Sequence, residues 1–435
     1  MAKYKQLSVL AVSTPYSLLR ILPNVGNGSG PYAFLDNTSQ LWTWNANGNI
    51  FTLGTLGNNT TSPASSPISI SNPPGRPWSK VVSNGITFVG LDNLSYAWAW
   101  GFGGNGETGT STTTNQSTPT SVFGARQWRD IAIGSNNIVG LDSNSYAWQW
   151  GQTYTTSTSV NLSSPASVVG GLQFSRLIAR HSVTPVALNS NSYAWSWGYN
   201  SEGETGSNTT LNASSPLSIV GGIQWRDIAF GNGIAIGVST LGYAWGWGGQ
   251  FVPGSLGDGT TNYRSSPSSV LGGNTWTKLV CGSSSGSATL ATGLSTLGYA
   301  WSWGYGSGGG LGNNGITNQS SPVSVVGGRL FSDVVMGYTS TGIPNTCALE
   351  QLTGNVWCWG SNQGNTSVGI GDGANVNRSS PVAVLGLPSS GPALLGVGDS
   401  FLFTDYKNVW SWHISPAVMQ WNPAIPKNIL GIYGS

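Results

Sequence analysis

The sequence predicts an all-β protein assembled from one repeated unit. Helix-favouring stretches are scarce, turn formers are abundant, and a single aromatic motif recurs from end to end. Of 435 residues, 64 are Gly and 22 Pro. Ser, Thr and Asn crowd the remainder, and these residues favour turns over helix interiors. The 21 Trp, 15 Tyr and 11 Phe still supply ample apolar bulk, so the glycine content signals turns and not disorder. The motif is Trp-x-Trp, at Trp42/Trp44, Trp98/Trp100, Trp148/Trp150, Trp195/Trp197, Trp245/Trp247, Trp301/Trp303, Trp357/Trp359 and Trp410/Trp412. Successive spacings are 56, 50, 47, 50, 56, 56 and 53 residues, the signature of a repeat architecture.

Each element of the unit follows from its own pattern. The Trp-x-Trp strand is often preceded by Tyr-Ala and followed by Gly, as in YAWSWG. That Gly suits a turn needing positive φ or close backbone approach. A polar loop follows, then a Ser-Pro step such as Ser266-Pro267, Ser321-Pro322 or Ser380-Pro381. The Pro heads an alternating run and fits an outer strand, where no ladder donor is required. Next comes an aromatic anchor (Trp78, Trp128, Phe174, Trp225, Trp276 or Phe331) opening a short apolar strand, and then a strand such as NIVGLDSN leads back to Trp-x-Trp. Four short strands per unit result.

Residues two apart on a strand share a face, so both indoles of a pair lie on one side of their sheet. A lone sheet cannot bury that face. Stacking the units around an axis buries the rings and leaves only short edges, which is a β-propeller. All sixteen paired tryptophans are assigned to its core, each worth about 2–3 kcal/mol on full burial. The whole of 1–435 reads as one propeller with eight repeats counted, seven blades being the alternative. Ring closure is expected from N- and C-terminal strands mixed in one blade. In that reading residues 1–20 are a first strand or an anchor segment, and Asn428 to Gly431 an extra strand.

The W-x-WG strand, the loop LGDGTTNYRSSP, the Val-rich strand and the aromatic strand ending in Gly resemble the regulator of chromosome condensation repeat. The resemblance covers nearly the whole chain. It implies a propeller, usually of seven blades. The roles it implies are diverse: a nucleotide exchange factor, a light receptor, an inhibitor of β-lactamases, and many bacterial and viral proteins of unassigned role. Fold alone does not select among these.

Composition narrows the classes. Charged residues are 7% of the chain, with 16 Lys and Arg against 14 Asp and Glu and no charge runs, so the basic footprint of a nucleic-acid binder is missing. No stretch reaches the roughly 18 apolar residues of a membrane-spanning helix. Lys3 and Lys5 before Leu7 to Val12 form too short an apolar run for a signal peptide and read as a first strand. Asn-x-Ser/Thr sequons at Asn37, Asn93, Asn208 and Asn377 are those expected by chance in such a composition.

Catalysis requires converging titratable groups, and none converge in the sequence. His181 and His413 lie in different repeats and read as polar fillers. Asp130, Asp227 and Asp333 alternate with Lys80, Arg176 and Lys278 at one repeat position, which suggests a solvated strand edge. LGDGT at Leu256–Thr260 and GIGDGAN at Gly369–Asn375 lack EF-hand ligand spacing and read as tight turns. Cys347 and Cys358 fall on adjacent strands, expected as buried thiols with a disulfide as the alternative; Cys281 reads as a small core residue. No metal, cofactor or catalytic residue is assigned.

What remains is recognition. The segments after Trp-Gly (102–119, 152–164, 199–215, 249–266, 305–321 and 361–380) leave the same end of their strands and would ring one face. Phe102, Tyr154, Tyr199, Phe251, Tyr263 and Tyr305, with Glu107, Glu202 and Glu204, are the candidate binding residues there. Low charge and near-identical repeats predict a non-enzymatic binding or structural protein on a particle or cell exterior, specifically a bacteriophage tail, fibre or decoration component. Its expected partners are other virion proteins or a host-surface glycan or protein. The alternative is a regulator or inhibitor of another protein, similar to the exchange factor.

Overall fold

In a computed structural model the chain forms eight four-stranded antiparallel sheets, each built from four consecutive strands paired in chain order. The structure describes residues 18–22, 32–36, 38–45, 54–62, 64–71, 73, 75–178, 184–231, 233–249, 252–283, 289–338, 344–362, 370–387, 393–397, 400–404, 409–413 and 427–428. Sheets 1 to 8 span 18–70, 78–121, 128–167, 176–218, 225–269, 276–324, 331–383 and 393–428. Sheet 3 is representative, with strands Trp128–Ile133, Asn137–Asp142, Ala147–Tyr154 and Ser159–Ser167. The first strand of one sheet lies beside the first strand of the next from sheet 1 to sheet 4 and again from sheet 5 to sheet 8. Arg176 on the first strand of sheet 4 meets Asp227 on that of sheet 5. First strands are therefore innermost and fourth strands outermost, the arrangement of a β-propeller.

Strand position explains composition. Second strands such as Thr87–Asp92, Asn137–Asp142 and Ile234–Ser239 are buried at every residue, because neighbouring sheets cover both faces. Fourth strands are edges. Pro119, Pro322 and Pro381 lie inside their strands (QSTPTS, QSSPVS, RSSPVA), not at the head as the sequence suggested. In each, the pairing shifts register opposite the second Trp of the motif, between Ala99 and Gly101 in sheet 2, for example. The Pro thus occupies an edge bulge, where its missing N–H goes unneeded.

The tryptophan pairs are unequal. Both rings of a pair join one apolar cluster, as Trp148 and Trp150 do, which confirms the shared face. Trp100, Trp150, Trp197, Trp247, Trp303 and Trp359 are buried, and Trp44 nearly so. Their partners Trp42, Trp98, Trp148, Trp195, Trp245, Trp301 and Trp357 are only half-buried. The reason is position. The second ring meets the aromatic anchor of the first strand, at 5.4 Å for Trp128–Trp150 and 5.2 Å for Trp225–Trp247, while the first lies near the turn at the sheet's end. The side chains of Trp410 and Trp412 lie outside the described residues.

Among the described residues the N- and C-terminal strands lie in separate sheets. Leu18–Leu22 pairs with Tyr32–Asp36 inside sheet 1, and Lys427–Asn428 pairs with Val409–His413 inside sheet 8. The blade shared between N- and C-terminal strands is replaced by two sheets, each contiguous in sequence. Asn428 does add an outer strand, opposite Trp410. Cys347 and Cys358 face each other directly across a ladder and form a disulfide, so the buried-thiol expectation is corrected. Their Cα atoms are 4.1 Å apart, since a directly opposed pair already has the close approach a bridge needs.

Candidate functional site

The end of the sheets bearing the loops after Trp-Gly is built first as a set of joints. In sheet 2 the loop runs Gly106-Glu107-Thr108-Gly109. A Cβ on Gly106 would lie 2.4 Å from the Leu162 carbonyl of sheet 3, and one on Gly109 would lie 2.8 Å from Nε1 of Trp150. Both have positive φ, so only Gly suits either place. The Trp150 indole donates to the Glu107 carbonyl at 2.9 Å, and Ser111 N donates to Ser163 O at 2.7 Å, in the edge bulge of sheet 3. The same clasp recurs as Asn59–Ser117, Asn208–Ser265, Gly259–Ser320 and Asn314–Ser379. The Ser of each Ser-x-Pro step therefore receives the preceding sheet's loop.

This geometry relocates the predicted acids. Glu107 is fully buried and accepts from Asn105 N and Nδ2 at 2.8 and 2.7 Å. Glu204 is its counterpart in sheet 4: its carbonyl accepts the Trp247 indole at 3.0 Å and its carboxylate accepts Glu202 N at 2.9 Å. Burial pushes Glu107 above the usual carboxylate range and Glu204 up to about 7, with a smaller repulsive contribution from Glu202. Burial also raises Glu202, which lies against Gly249, where a Cβ would meet its side chain. Glu107 and Glu204 are parts of a joint, not free ligands.

Sheet 3 departs from this scheme. Its third and fourth strands continue outward, pairing Tyr154 with Ser159, and no Gly-x-x-Gly loop follows. The Trp197 indole of sheet 4 instead donates to Gln149 Oε1 at 2.9 Å, and Tyr154 packs edge-on to Tyr199 at 5.4 Å. Burial and the neighbouring Tyr199 raise the Tyr154 hydroxyl above its ordinary value. Of the remaining aromatic candidates, Phe102 and Tyr305 are half-buried, Tyr263 is 57% exposed, and Phe251 lies outside the described residues. Phe102 packs over Gly104 of its own loop. The structure thus pairs Tyr154 with Tyr199 and sets Glu202 beside Glu204, leaving Tyr263 open to solvent.

The charge-alternating position is a partly exposed strand edge, as expected, and it is also bonded. Lys80–Asp130, Arg176–Asp227 and Lys278–Asp333 are ion pairs at 2.5, 3.0 and 2.5 Å, each linking the innermost strands of two successive sheets. The swap of sign between repeats is what pairing across a joint demands. Asp258 and Asp372 in the two turns suspected of mimicking calcium loops bind Arg264 and Arg378 at 2.8 and 2.6 Å. Although burial opposes it, the Arg264 hydrogen bond holds Asp258 below its ordinary value.

Sequence reasoning overlooked a carboxylate before the first Trp of the motif. Asp36, Asp92, Asp142 and Glu350 accept from the indoles of Trp42, Trp98, Trp148 and Trp357 at 2.9, 3.1, 2.9 and 3.2 Å. Arg76, Arg126 and Arg329, two residues before the aromatic anchors, pair with Asp92, Asp142 and Glu350. Arg126 and Arg329 also stack on Trp148 and Trp357 at 3.4 and 3.3 Å. Against the effect of burial, hydrogen bonds from Tyr96, Trp98 and Arg76 hold Asp92 low. The signal was available as a fixed offset, Asp six residues ahead of Trp in three repeats.

Among the described residues no group of three or more His, Cys, Asp and Glu side chains could hold a metal, and no helix is long and apolar enough to cross a membrane. His181 lies outside the described residues, as does the side chain of His413. Burial pushes the Cys281 thiol up to about 12, consistent with its packing beside the sheet 5–6 cluster. No family model matches the chain, and neither does any curated protein. Solved structures do. Prp20p from Saccharomyces cerevisiae superposes with a TM-score of 0.57 at 17% identity, covering 90% of this chain and 91% of its own. Yeast RCC1 (Prp20) bound to Kap60 gives 0.54 at 17% identity over 77% and 92%, and human WBSCR16 gives 0.55 at 16% over 77% and 87%. At that identity the likeness is one of architecture: the chain shares the propeller fold of these RCC1-like structures.

Proposed function

We propose that the protein is a non-enzymatic binding platform carried on the exterior of a particle, specifically a tail, fibre or decoration component of a bacteriophage virion. The observation that carries the non-catalytic part is the use of Glu107 and Glu204 as joint residues, each with its carbonyl accepting the next sheet's indole. With those acids committed to architecture, the chemistry facing solvent on the loop end is hydroxyl and amide groups, Tyr263 and the exposed apolar side chains of Leu211, Ile316 and Val376. Such groups suit a neutral glycan or a protein surface. Low charge and the near-identical repeats support the virion setting. The test is mass spectrometry of purified particles together with a glycan array. Enrichment in particles, and glycan capture weakened by Tyr263→Ala, are expected; a chain absent from particles would sink the virion assignment.

A second reading has a specific observation behind it. Prp20p, which shares the fold, was characterised for its binding to Gsp1p and histones, which favours a regulator acting through protein contacts. Affinity capture of a stoichiometric enzyme or GTPase would select that reading over a structural one.

A further inference from the structure

The clasps between sheets follow one template, and sheet 4 leaves it unfilled. Gly54, Gly106, Gly203, Gly254 and Gly309 lie over Ser117, Ser163, Ser265, Ser320 and Ser379. A Cβ on any of these glycines would come within 2.5–2.7 Å of the serine Cα, and each glycine has positive φ. Five residues further along each loop, a backbone N–H donates to the same serine's carbonyl at 2.7–2.8 Å, from Asn59, Ser111, Asn208, Gly259 and Asn314 in turn. The bulge of an outer strand is therefore a seat for a glycine turn. Its Ser Cα admits only a residue without a side chain, and its carbonyl takes one N–H.

Sheet 4 has the same seat. Gly198 pairs with Ala213 as Gly248 pairs with Arg264 in sheet 5, with the same register shift beside the Gly. Ser214 thus stands where Ser265 does, and Ser214-Ser215-Pro216 keeps the Ser-x-Pro step. Among the described residues no donor reaches the Ser214 carbonyl, and Ser214 is exposed where the five clasped serines are half-buried. The reason lies in sheet 3, whose third and fourth strands run on as a hairpin and supply no Gly-x-x-Gly loop. Gln149 already satisfies the Trp197 indole, so the seat lacks only the glycine turn and its N–H. An edge carbonyl left open in this way is a template for pairing with another chain.

The filled seats identify the occupant. The loops of this chain that carry the pattern, GTLGNN, GETGTS, GETGSN, GSLGDG and GGLGNN, are each committed to the next sheet, and those of a second copy are committed likewise. We infer that the outer strand of sheet 4 docks a Gly-x-x-Gly turn of another protein. The first Gly of that turn lies over the Ser214 Cα, and the N–H five residues on donates to the Ser214 carbonyl.

The test uses the full chain and, as probe, a head-to-tail cyclic peptide with the sequence of residues 199–212. In the protein this loop is closed by Asn200 N donating to Asn212 Oδ1 and by Thr205 N donating to Asn200 Oδ1, both at 2.9 Å, so the ring preserves its turn. Fluorescence anisotropy reads binding and hydrogen exchange of the full chain reads its place. Saturable binding is expected, with exchange slowed in the outer strand of sheet 4. Replacing Gly203 of the peptide by Ala should weaken it, and N-methylation at Asn208 of the peptide should do so about fivefold through the lost hydrogen bond. Ser214→Arg in the protein should block the seat with an unchanged circular dichroism spectrum. Absence of saturable binding overturns the inference, as does binding that all three changes leave untouched. Exchange at this strand that slows with the concentration of the chain alone would give the seat to a second copy and equally overturn it.

Discussion

At the scale of single residues, size is matched across strands. Gly90, Gly140, Gly237 and Gly293 on second strands lie under the anchors Trp78, Trp128, Trp225 and Trp276, and a Cβ there would come within 2.3–2.5 Å of the indole. Where the anchor is Phe174 or Phe331, the residue at the corresponding register is Ala187 or Ala348. In sheet 1 Phe34 takes that register and itself packs on Trp42 and Trp44. The chain has thus already made the compensating exchange twice. Gly140→Ala alone should cost about 1–3 kcal/mol by overpacking. Combined with Trp128→Phe it should cost less than the two separate losses added together, a coupling that urea denaturation of the double-mutant cycle measures. Strict additivity would contradict the size match.

Titration at this scale has a definite sign. Glu204 has a folded value of about 7 against 4.5 for the free group, so the folded state retains a proton that the unfolded chain releases. Its favourable contribution is complete below pH 4.5 and is lost as pH rises through 7. Glu204→Gln should therefore matter little at acid pH and stabilise increasingly towards pH 8, by on the order of 3 kcal/mol at most. Chemical denaturation of both proteins at several pH values checks this, and a stability difference independent of pH would exclude it.

At the scale of the elements, joints between sheets govern. The ion pairs on the inner strands are partly exposed, so each contributes only about 0.2–1 kcal/mol. Lys80→Asp should destabilise by more than that, through repulsion of Asp130, and Asp130→Lys in the same chain should restore most of the loss. Thermal unfolding of the three variants reads the restoration. At the joint from sheet 3 to sheet 4 the Gln149 amide replaces the loop carbonyl as acceptor of the next sheet's indole. Gln149→Ala leaves the buried Trp197 indole without its acceptor, at a cost of about 1–3 kcal/mol. Thr43 and Ser196, at the equivalent position, reach carbonyls of their own sheet's loop, so substitution there should perturb that loop and not the neighbouring sheet.

At the scale of the molecule, the apolar interior of sheets 1 to 7 is divided into clusters, six of which span the joint between two successive sheets among the described residues. The disulfide is an exception to this uniformity, tying the second and third strands of sheet 7 across a separation of 11 residues. A short loop of that kind contributes roughly 2–3 kcal/mol through the unfolded state. Reduction should lower the melting temperature without dissolving the fold, since the other described sheets have no such link. Calorimetry with and without reductant tests the expectation.

The repeat, the four strands of each unit and the burial of the second tryptophan were legible in the sequence, because period-two patterning and a recurring motif are local properties of a strand. The same local logic carried Asp258 and Asp372, read correctly as turn residues. What one chain segment presents to another was not legible. The sign alternation of Lys80 and Asp130 meant a bond only once their strands were neighbours, and Glu107 ceased to be a candidate ligand once its loop met Trp150. Sequence alone determined the sheet. Tertiary structure decided which side chains remained available to anything else, because availability depends on the packing of one sheet upon the next.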